Sequence, residues 1–312
     1  MTSLDEYARQ SDFSDPGRYT PLLDSLPTDP RELAAVVRNV MVHYVGAGLT
    51  FTGERLEEIN NRWVERILGT DQGRHAAPLS APRAETERVA GCCRDFTLLT
   101  VAALRHKGVP ARSRIGFAGY FHPDFHEDHV VVDYWNGQRW VYLDAQLDPA
   151  DWPFDPGDID RPVGARSEPP PMFATAAQVW SAYRRGADIR HFGVGWAEST
   201  PSGHPLRGPV FVAGTVLLEL AHRQRDEVLL WDVWGERLQP TDGVLALVDE
   251  VAALVLAADE GDESAERELT DRYRTDPRLG VGATVRCLSP SGTESVVELR
   301  SRAVVGQHGP RN

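Results

Sequence analysis

Residues 129–145 read HVVVDYWNGQRWVYLDA, with Asn136-Gly137 between two runs of β-prone residues. Asn-Gly is the preferred chemistry of a two-residue hairpin turn, so the stretch predicts two antiparallel strands joined at this dipeptide. Counting outward from such a turn places His129 opposite Asp144. Directly opposed side chains project from the same face with Cβ atoms roughly 4.5 to 5.5 Å apart. The register therefore predicts an imidazole within hydrogen-bonding reach of a carboxylate.

A pair of cysteines opens the other informative stretch, CCRDFTLLTVAALRHKG at residues 92–108. Its apolar residues recur at helical spacing and Gly108 supplies a stop, so it predicts a buried helix with the cysteines at its N-terminal end. Asp95 lies in the first turn, where its negative charge interacts favourably with the helix dipole, and we interpret it as a structural residue. Backbone N–H groups at such an end stabilise a thiolate, which makes Cys93 the candidate nucleophile. When a histidine held in place by a carboxylate deprotonates the thiol, the resulting thiolate can attack a carboxamide carbon and form a thioester.

Five short motifs, in this order along the chain, resemble the core of the transglutaminase-like superfamily. They are Gly91-Cys92-Cys93-Arg94-Asp95-Phe96, Gly108-Val109-Pro110-Ala111-Arg112, Asp128-His129, Trp140 and Leu143-Asp144. The resemblance covers about residues 85–150 and implies an α+β fold with a papain-like core. In that core the helix carrying the cysteine packs on an antiparallel sheet, with N-terminal helices before it and a C-terminal extension after it. Many members have an aromatic residue where this chain has Val130, so we expect a different wall in the acyl pocket.

The same resemblance implies a catalytic triad of Cys93 as nucleophile, His129 as base and Asp144 as its orienting carboxylate, with no cofactor. The implied activity is acyl transfer from a carboxamide or peptide amide through a thioester. The expected partners are an amide or peptide substrate and either water or an amine as acceptor. Superfamily members include transamidases, amide hydrolases, amide-forming enzymes and inactive relatives, so the resemblance names no single substrate and no oligomeric state.

Two other functions compete with this interpretation. A noncatalytic module would retain the core and bind a peptide in its cleft, with a thiol that is buried or unreactive. A metallohydrolase would use His122, His126 and His129, since imidazoles and nearby carboxylates suit zinc or iron. Against the metal site, residues 122–128 (HPDFHED) have the composition of a solvated loop rather than the spacing of a rigid ligand motif. We interpret Cys92 as a packing residue, because a disulfide between adjacent cysteines would be strained.

The composition of the chain bears on which partners it can bind and in which cellular compartment it is expected. The chain has 33 Lys and Arg against 46 Asp and Glu, a net charge of -13. Such a charge repels a nucleic-acid backbone or an anionic membrane, so we expect neither as a partner. Three cysteines, two of them adjacent, do not suit the disulfide framework of a small secreted domain. With no apolar stretch of membrane-spanning or signal-peptide type, we expect a cytoplasmic protein, and the resemblance is to bacterial members.

The chain divides by composition into three parts. Residues 1–30, rich in Asp, Ser, Pro and Gly, predict a loosely structured arm. Residues 31–150 hold the transglutaminase-like core with its N-terminal helices, and residues 151–312 form a C-terminal extension of mixed helix and loop that either continues this domain or follows it. Further local predictions are helices at 30–41, 55–68, 175–185 and 246–258, a strand at 111–121, and loops at 69–83, 122–128 and 151–171.

Overall fold

The computed structural model describes residues 3–159, 172–200, 203–238 and 240–308, so part of the loop predicted at 151–171 lies outside it. Within these residues the helices are α1 (Ser3–Tyr7), α2 (Thr20–Asp24), α3 (Pro30–Val40), α4 (Gly53–Glu57), α5 (Val64–Arg74), α6 (Cys93–His106), α7 (Ala176–Arg184), α8 (Pro209–Arg223), α9 (Asp242–Asp259) and α10 (Glu263–Thr275). The strands are β1 (Met41–His43), β2 (Val89–Gly91), β3 (Ala111–His122), β4 (Phe125–Trp135), β5 (Trp140–Leu143), β6 (Phe173–Thr175), β7 (Phe192–Gly193), β8 (Asp232–Val233), β9 (Thr284–Leu288), β10 (Glu294–Glu298) and β11 (Ala303–His308). The predicted α+β class, with mainly antiparallel pairing, is confirmed.

Two compact units divide the described residues, and each draws on distant parts of the sequence. The first unit contains the residues up to 114, then 130–159 and 225–228. The second contains 115–129, the described residues before 225, and those from 229 onward. Strands β3 and β4 belong in part to each unit, and they lie in a sheet of order β5-β4-β3-β6 in which β7 also pairs with β4.

Helix α6 is the buried centre of the first unit, where α2, α3 and α5 contact it. Every residue from Cys93 to Arg105 is buried, so the buried helix that the apolar spacing predicts is confirmed. Helix α3 also begins as predicted, since the carboxylate of Asp29 accepts the backbone N–H groups of Arg31 and Glu32. The short parallel pair of β1 and β2 then leads the chain into the turn before α6.

The N-terminal arm is packed rather than loose, so that prediction is wrong. It contains α1 and α2, and Tyr7, Phe13 and Leu23 are buried. Tyr7 meets Trp140 edge to face with ring centroids 5.7 Å apart, and Phe13 stacks on Trp63 at 6.5 Å. The average composition of the arm is polar, but a few large buried side chains pack it against the rest of the first unit.

The single helix predicted at 55–68 is broken in two. Helices α4 and α5 are separated by a 3-10 turn at Glu58–Asn60 and the residues after it. After that turn the carbonyls of Asn61 and Arg62 accept from the guanidinium of Arg94, and the N–H of Val64 donates to the carbonyl of Phe13. These backbone groups are therefore bonded to distant parts of the chain instead of to one continuous helix. Helix α5 continues to Arg74, so the loop predicted to follow begins later than expected.

Residues 122–128 are not the predicted loop. Strands β3 and β4 meet at a two-residue connection, Pro123-Asp124. Near it β7 pairs with β4 in parallel, and the ring of His126 stacks on Phe192 with centroids 4.1 Å apart. The composition of this segment is polar and typical of a loop, but its contacts with β7 and Phe192, which are distant in sequence, stabilise it as a strand.

The hairpin of β4 and β5 is confirmed, but its tip lies one residue later than predicted. The backbone N–H of Asn136 donates to the carbonyl of Arg139 at 3.1 Å, so Gly137 and Gln138 form the tip. The side-chain Oδ1 of Asn136 accepts the N–H groups of Gln138 and Arg139, each at 2.9 Å. Gly137 takes a φ of 97°. The asparagine side chain therefore organises the turn from its first residue instead of occupying the tip.

This change shifts every pair in the hairpin by two residues. Val132 faces Leu143, the last residue of β5, so Asp144 follows the strand and does not face His129 directly. The predicted direct opposition of these two residues is wrong. Because side chains alternate between faces, a shift of two residues leaves the predicted face of each position unchanged.

Helices α7, α8 and α9 pack together in the second unit around a core that includes Trp180, Val216 and Val251. Both helices predicted there are present, and the hydroxyl of Thr175 caps α7 by accepting the N–H of Gln178. A separate sheet of order β11-β10-β9-β8 completes this unit. Helix α9 is the longest described helix, with 18 residues, and none of the described helices is long and apolar enough to cross a membrane.

The conformation of Gly137 should make it sensitive to substitution. We expect Gly137→Ala to destabilise the protein by about 1 to 2 kcal/mol, because its positive φ disfavours a side chain. Gly73→Ala, in the last turn of α5, should instead stabilise it by about 0.5 to 1 kcal/mol. Neither added Cβ would meet an atom within 4 Å, so the comparison isolates backbone conformation. Urea unfolding of both variants checks this, and changes of the same sign would contradict it.

Candidate active site

The turn between β2 and α6 carries both adjacent cysteines. Cys92 has an extended backbone (φ -119°, ψ -177°) and precedes the helix, and Cys93 is the first residue of α6. The carboxylate of Asp95 accepts the backbone N–H of Cys92 at 2.8 Å, as in a capping box. Asp95 is therefore structural, as the sequence predicts, and the thiol of Cys93 belongs to the helix end where a negative charge is stabilised.

Arg94 fixes this turn from a fully buried position. Its guanidinium donates to the carbonyls of Asn61 (3.3 Å), Arg62 (2.5 Å) and Glu227 (3.2 Å), and to the carboxylate of Asp95 (2.8 Å). Its acceptors are all protein groups of the first unit, so Arg94 holds backbone in place.

Strand β4 is tied to α6 one turn after Cys93. The hydroxyl of Thr97 donates to the carbonyl of Val130 at 2.9 Å, and both groups are buried. Val130 directly follows His129 in β4. The hydrogen bond therefore fixes the backbone beside the histidine against the helix that carries the thiol.

His129 is itself buried and has aromatic neighbours at the end of β3. The ring centroids of Phe121 and Tyr120 lie 5.0 Å and 6.0 Å from that of the imidazole, and both rings are nearly perpendicular to it. Both aromatic side chains are partly exposed. They restrict the orientation of the imidazole and give it an apolar wall. Sequence analysis did not single out Phe121, although the adjacent aromatic pair was the available signal.

Asp144 is buried and is held by its own segment of chain. Its backbone N–H donates to the carbonyl of Pro156 at 2.8 Å. One of its carboxylate oxygens, Oδ1, accepts the N–H of Gln146 at 3.0 Å. These two bonds fix both the backbone and the side chain of the predicted orienting residue.

Arg38, on α3, is a charged neighbour of this segment that sequence reasoning missed. It donates to the carbonyl of Ala145 at 3.4 Å. Burial lowers the pKa of Arg38, and the carboxylates of Asp148 and Asp144 oppose that effect. The only sequence signal was an arginine beside the buried face of an amphipathic helix, which does not reveal a partner so far along the chain.

The three histidines of the metal hypothesis do not form one cluster. His126 and His129 are three residues apart on β4, so their side chains leave opposite faces of the strand. His126 stacks on Phe192, and the exposed His122 lies 3.8 Å from the carboxylate of Glu127. Within the described residues, no group of three or more His, Cys, Asp or Glu side chains could hold a metal ion. The structure therefore does not support a metallohydrolase built on these histidines.

Comparison with known proteins gives one family match. Residues 43–145, about a third of the chain, match the family model of the transglutaminase-like superfamily, and the match includes Cys93, His129 and Asp144. No curated protein matches the chain. A match among solved structures is the "Putative Cysteine Protease from Cytophaga hutchinsonii", at 19% identity and a TM-score of 0.31. It covers 48% of this chain and 45% of that chain, less than half of either.

Removal of the Asp95 charge should destabilise the fold. Asp95→Asn retains an acceptor for the N–H of Cys92 but removes the carboxylate hydrogen-bonded to buried Arg94. Loss of one partner of a buried ion pair costs about 3 kcal/mol, and chemical denaturation measures it. As a control, Asp188→Asn breaks an exposed pair with Arg190 and should change stability little. Equal effects of the two substitutions would rule out this role for Asp95.

His126 should titrate below the ordinary histidine pKa of 6.5, because burial lowers its pKa and the charge of His191 lowers it further. A depressed pKa means that protonation is disfavoured in the folded state. The resulting stability is present above pH 6.5 and is lost as the pH falls through the lowered pKa. NMR titration of the imidazole C–H signals measures this value, and His126→Phe assigns the resonance. A pKa at or above 6.5 would show that burial does not govern this residue.

Proposed function

We propose, from the transglutaminase-like domain that residues 43–145 form, that this chain is an enzyme of amide acyl transfer with a Cys-His-Asp triad. Cys93 is the nucleophile, His129 the general base and Asp144 the carboxylate that orients it. The superfamily match supports cysteine-based catalysis in general. The three roles and the carboxamide or peptide amide substrate are the proposal.

The observation that carries the proposal is the hydrogen bond from Thr97 to the carbonyl of Val130. It joins α6, one turn after Cys93, to β4, one residue after His129. Residues four apart on a helix are neighbours on one face, so this bond supports a thiol and an imidazole brought close together. Asp144 directly follows β5, beside β4, and the diagonal position on that face supports its contact with the imidazole.

In the proposed first step, His129 takes the proton of the Cys93 thiol and the thiolate attacks the carbonyl carbon of the amide. The carbon–nitrogen bond then breaks as the histidine returns the proton to the leaving amine or ammonia, and a thioester remains. Asp144 stabilises the imidazolium that exists between these two events. The aromatic wall of Tyr120 and Phe121 limits water around the imidazole, which strengthens its interaction with charged partners.

In the second step, His129 deprotonates water or an amine, which attacks the thioester carbon. The carbon–sulfur bond breaks, the thiolate leaves, and the imidazolium returns its proton to the thiolate, which restores the Cys93 thiol and the neutral imidazole. Water as acceptor makes the enzyme an amide hydrolase, whereas an amine makes it a transamidase. The partly exposed aromatic residues beside His129 favour an apolar group next to the acyl carbon.

One observation favours the noncatalytic alternative, a module that binds a peptide. Cys93 is only 5% exposed, and a buried thiol is the state expected of an idle core. The same burial is compatible with a nucleophile in a narrow cleft. The reactivity of the thiol separates the two functions.

Alkylation by iodoacetamide as a function of pH tests the triad. Trypsin releases VAGCCR (residues 89–94), and fragmentation between its two cysteines assigns the label. We expect Cys93 to react with a midpoint below the free-thiol pKa of about 8.5, because a histidine base and the helix end favour the thiolate. In His129→Ala and Asp144→Asn the rate near pH 6.5 should fall at least about tenfold, as loss of one pH unit of thiolate stabilisation implies.

Urea-denatured protein provides the reference, since its three cysteines should react as ordinary thiols. A folded-state profile equal to that reference, or slower at every pH and unchanged by either substitution, would overturn the triad. That outcome would favour the peptide-binding module. Cys93→Ala, with no label on residue 93, confirms the assignment of the modified site.

A further inference from the structure

We infer that Trp196, in the loop that follows β7, is a specificity-determining residue of this site and receives an aromatic or large aliphatic group of the substrate beside the reacting amide. This inference rests on the proposed function, in which His129 is the general base. Trp196 lies outside the segment 43–145 that matches the family model. Its role follows from the place of its loop on β4 and from the exposure of its indole.

The loop that carries Trp196 begins beside the histidine. Strand β7 pairs with β4 in parallel, with Gly193 opposite Glu127. If the pairing continued for two more residues, Gly195 would be level with His129. All of these residues belong to the second unit. The register therefore places the start of the loop next to the position of the proposed base.

A buried carboxylate then turns the loop onto one face of the sheet. Glu127 is 7% exposed, and its Oε1 accepts the backbone N–H of Gly195 at 2.7 Å. Glu127 and His129 are two residues apart on β4, so their side chains leave the same face roughly 7 Å from each other. The N–H of Gly195 therefore lies at the face from which the imidazole projects, and Trp196 is the next residue.

Backbone hydrogen bonds within the loop keep it in shape. The N–H of Val194 donates to the carbonyl of Leu206 at 2.8 Å, and the N–H of Leu206 donates to the carbonyl of Glu198 at 3.0 Å. Trp196 lies between the bonded positions 194 and 198. Its backbone is restricted before a substrate binds, so less conformational entropy is lost when its side chain makes a contact.

The side chain of Trp196 is 51% exposed, and among the described residues no other Phe, Tyr or Trp is classed as exposed. A single exposed apolar side chain needs no explanation, but Tyr120 and Phe121, which lie against the imidazole of His129, are also partly exposed. Aromatic side chains bind other apolar groups through their large surface and by ring stacking. Three of them around one histidine therefore favour an apolar group on the substrate.

The test compares two alkylating reagents with the same reactive group, iodoacetamide and N-benzyl-iodoacetamide, on Cys93 at neutral pH. The measured quantity is the ratio of their rate constants, assigned by fragmentation of VAGCCR, with urea-denatured protein as the reference. We expect the benzyl reagent to be favoured about threefold to tenfold in the folded wild type relative to this reference, because its ring contacts the indole. Trp196→Ala should abolish this preference and leave the iodoacetamide rate unchanged. Trp196→Phe should retain the preference to within about twofold, because it keeps an aromatic ring.

Two further variants separate recognition from effects on the fold. Gly195→Ala keeps the tryptophan but places a Cβ against Oε2 of Glu127, so the carboxylate must move and the loop loses its anchor. This variant should lower the benzyl preference. Val304→Ala removes apolar surface from a side chain that is 59% exposed on β11, and it should change neither rate. Unfolding midpoints of all variants accompany the rates.

A benzyl preference in Trp196→Ala equal to that of the wild type would overturn the inference. An equal fall of both rate constants would also overturn it, because the tryptophan would then only support the fold. Failure of the proposed function has a different signature: iodoacetamide would label wild-type Cys93 as an ordinary thiol, His129→Ala would change neither rate, and both proposals would fall together. A fast iodoacetamide reaction that depends on His129 but shows no benzyl preference would refute this inference alone.

Discussion

The buried guanidinium of Arg94 is the constraint on which the first unit depends. Removing a full positive charge from water costs several kcal/mol, so its hydrogen-bonding groups must be matched by acceptors. The acceptors come from three separate places: the segment after α4, the first turn of α6, and residue Glu227 from far along the chain. Any conformation that separates these segments leaves the charge without its partners. The turn that carries the two cysteines is therefore fixed by the same interaction that joins the unit.

The hydrogen bonds around this turn form a chain in which each residue fixes the position of the next. Arg94 holds the carboxylate of Asp95, and Asp95 holds the backbone N–H of Cys92. Thr97 then ties α6 to β4 beside His129. All these donors and acceptors are backbone groups or short side chains, apart from the arginine, so little conformational freedom remains at the proposed nucleophile. Such preorganisation is what a nucleophilic cysteine needs before any substrate binds.

The sequence predicts the helices and strands of the core well, but it predicts the register between strands and the contacts between distant residues less well. Helix α6 and the strands of the hairpin follow from apolar periodicity and β-propensity, which are properties of neighbouring residues. The hairpin register depends on whether Asn136 occupies the tip or caps it with its side chain, and both are compatible with Asn-Gly. The two-residue shift preserves the strand face, so the candidate residues could be named although their predicted pairing was wrong. Arg38 and Glu227 could not be found from sequence, because their partners lie at distant positions.

The contacts of Glu227 show that the first unit extends beyond the segment that matches the family model. It is fully buried, accepts from Arg105 at 2.9 Å and from Ser11 at 2.6 Å, and belongs with residues 225–228 to the first unit. The segment 43–145 that matches the family model contains Arg94 and Arg105 but neither Ser11 nor Glu227. Cut out of the chain, that segment would leave Arg105 without the carboxylate of Glu227 and Arg94 without one of its four acceptor residues. The structural unit that buries Arg105 therefore extends beyond the family boundaries and includes the arm and residues 225–228.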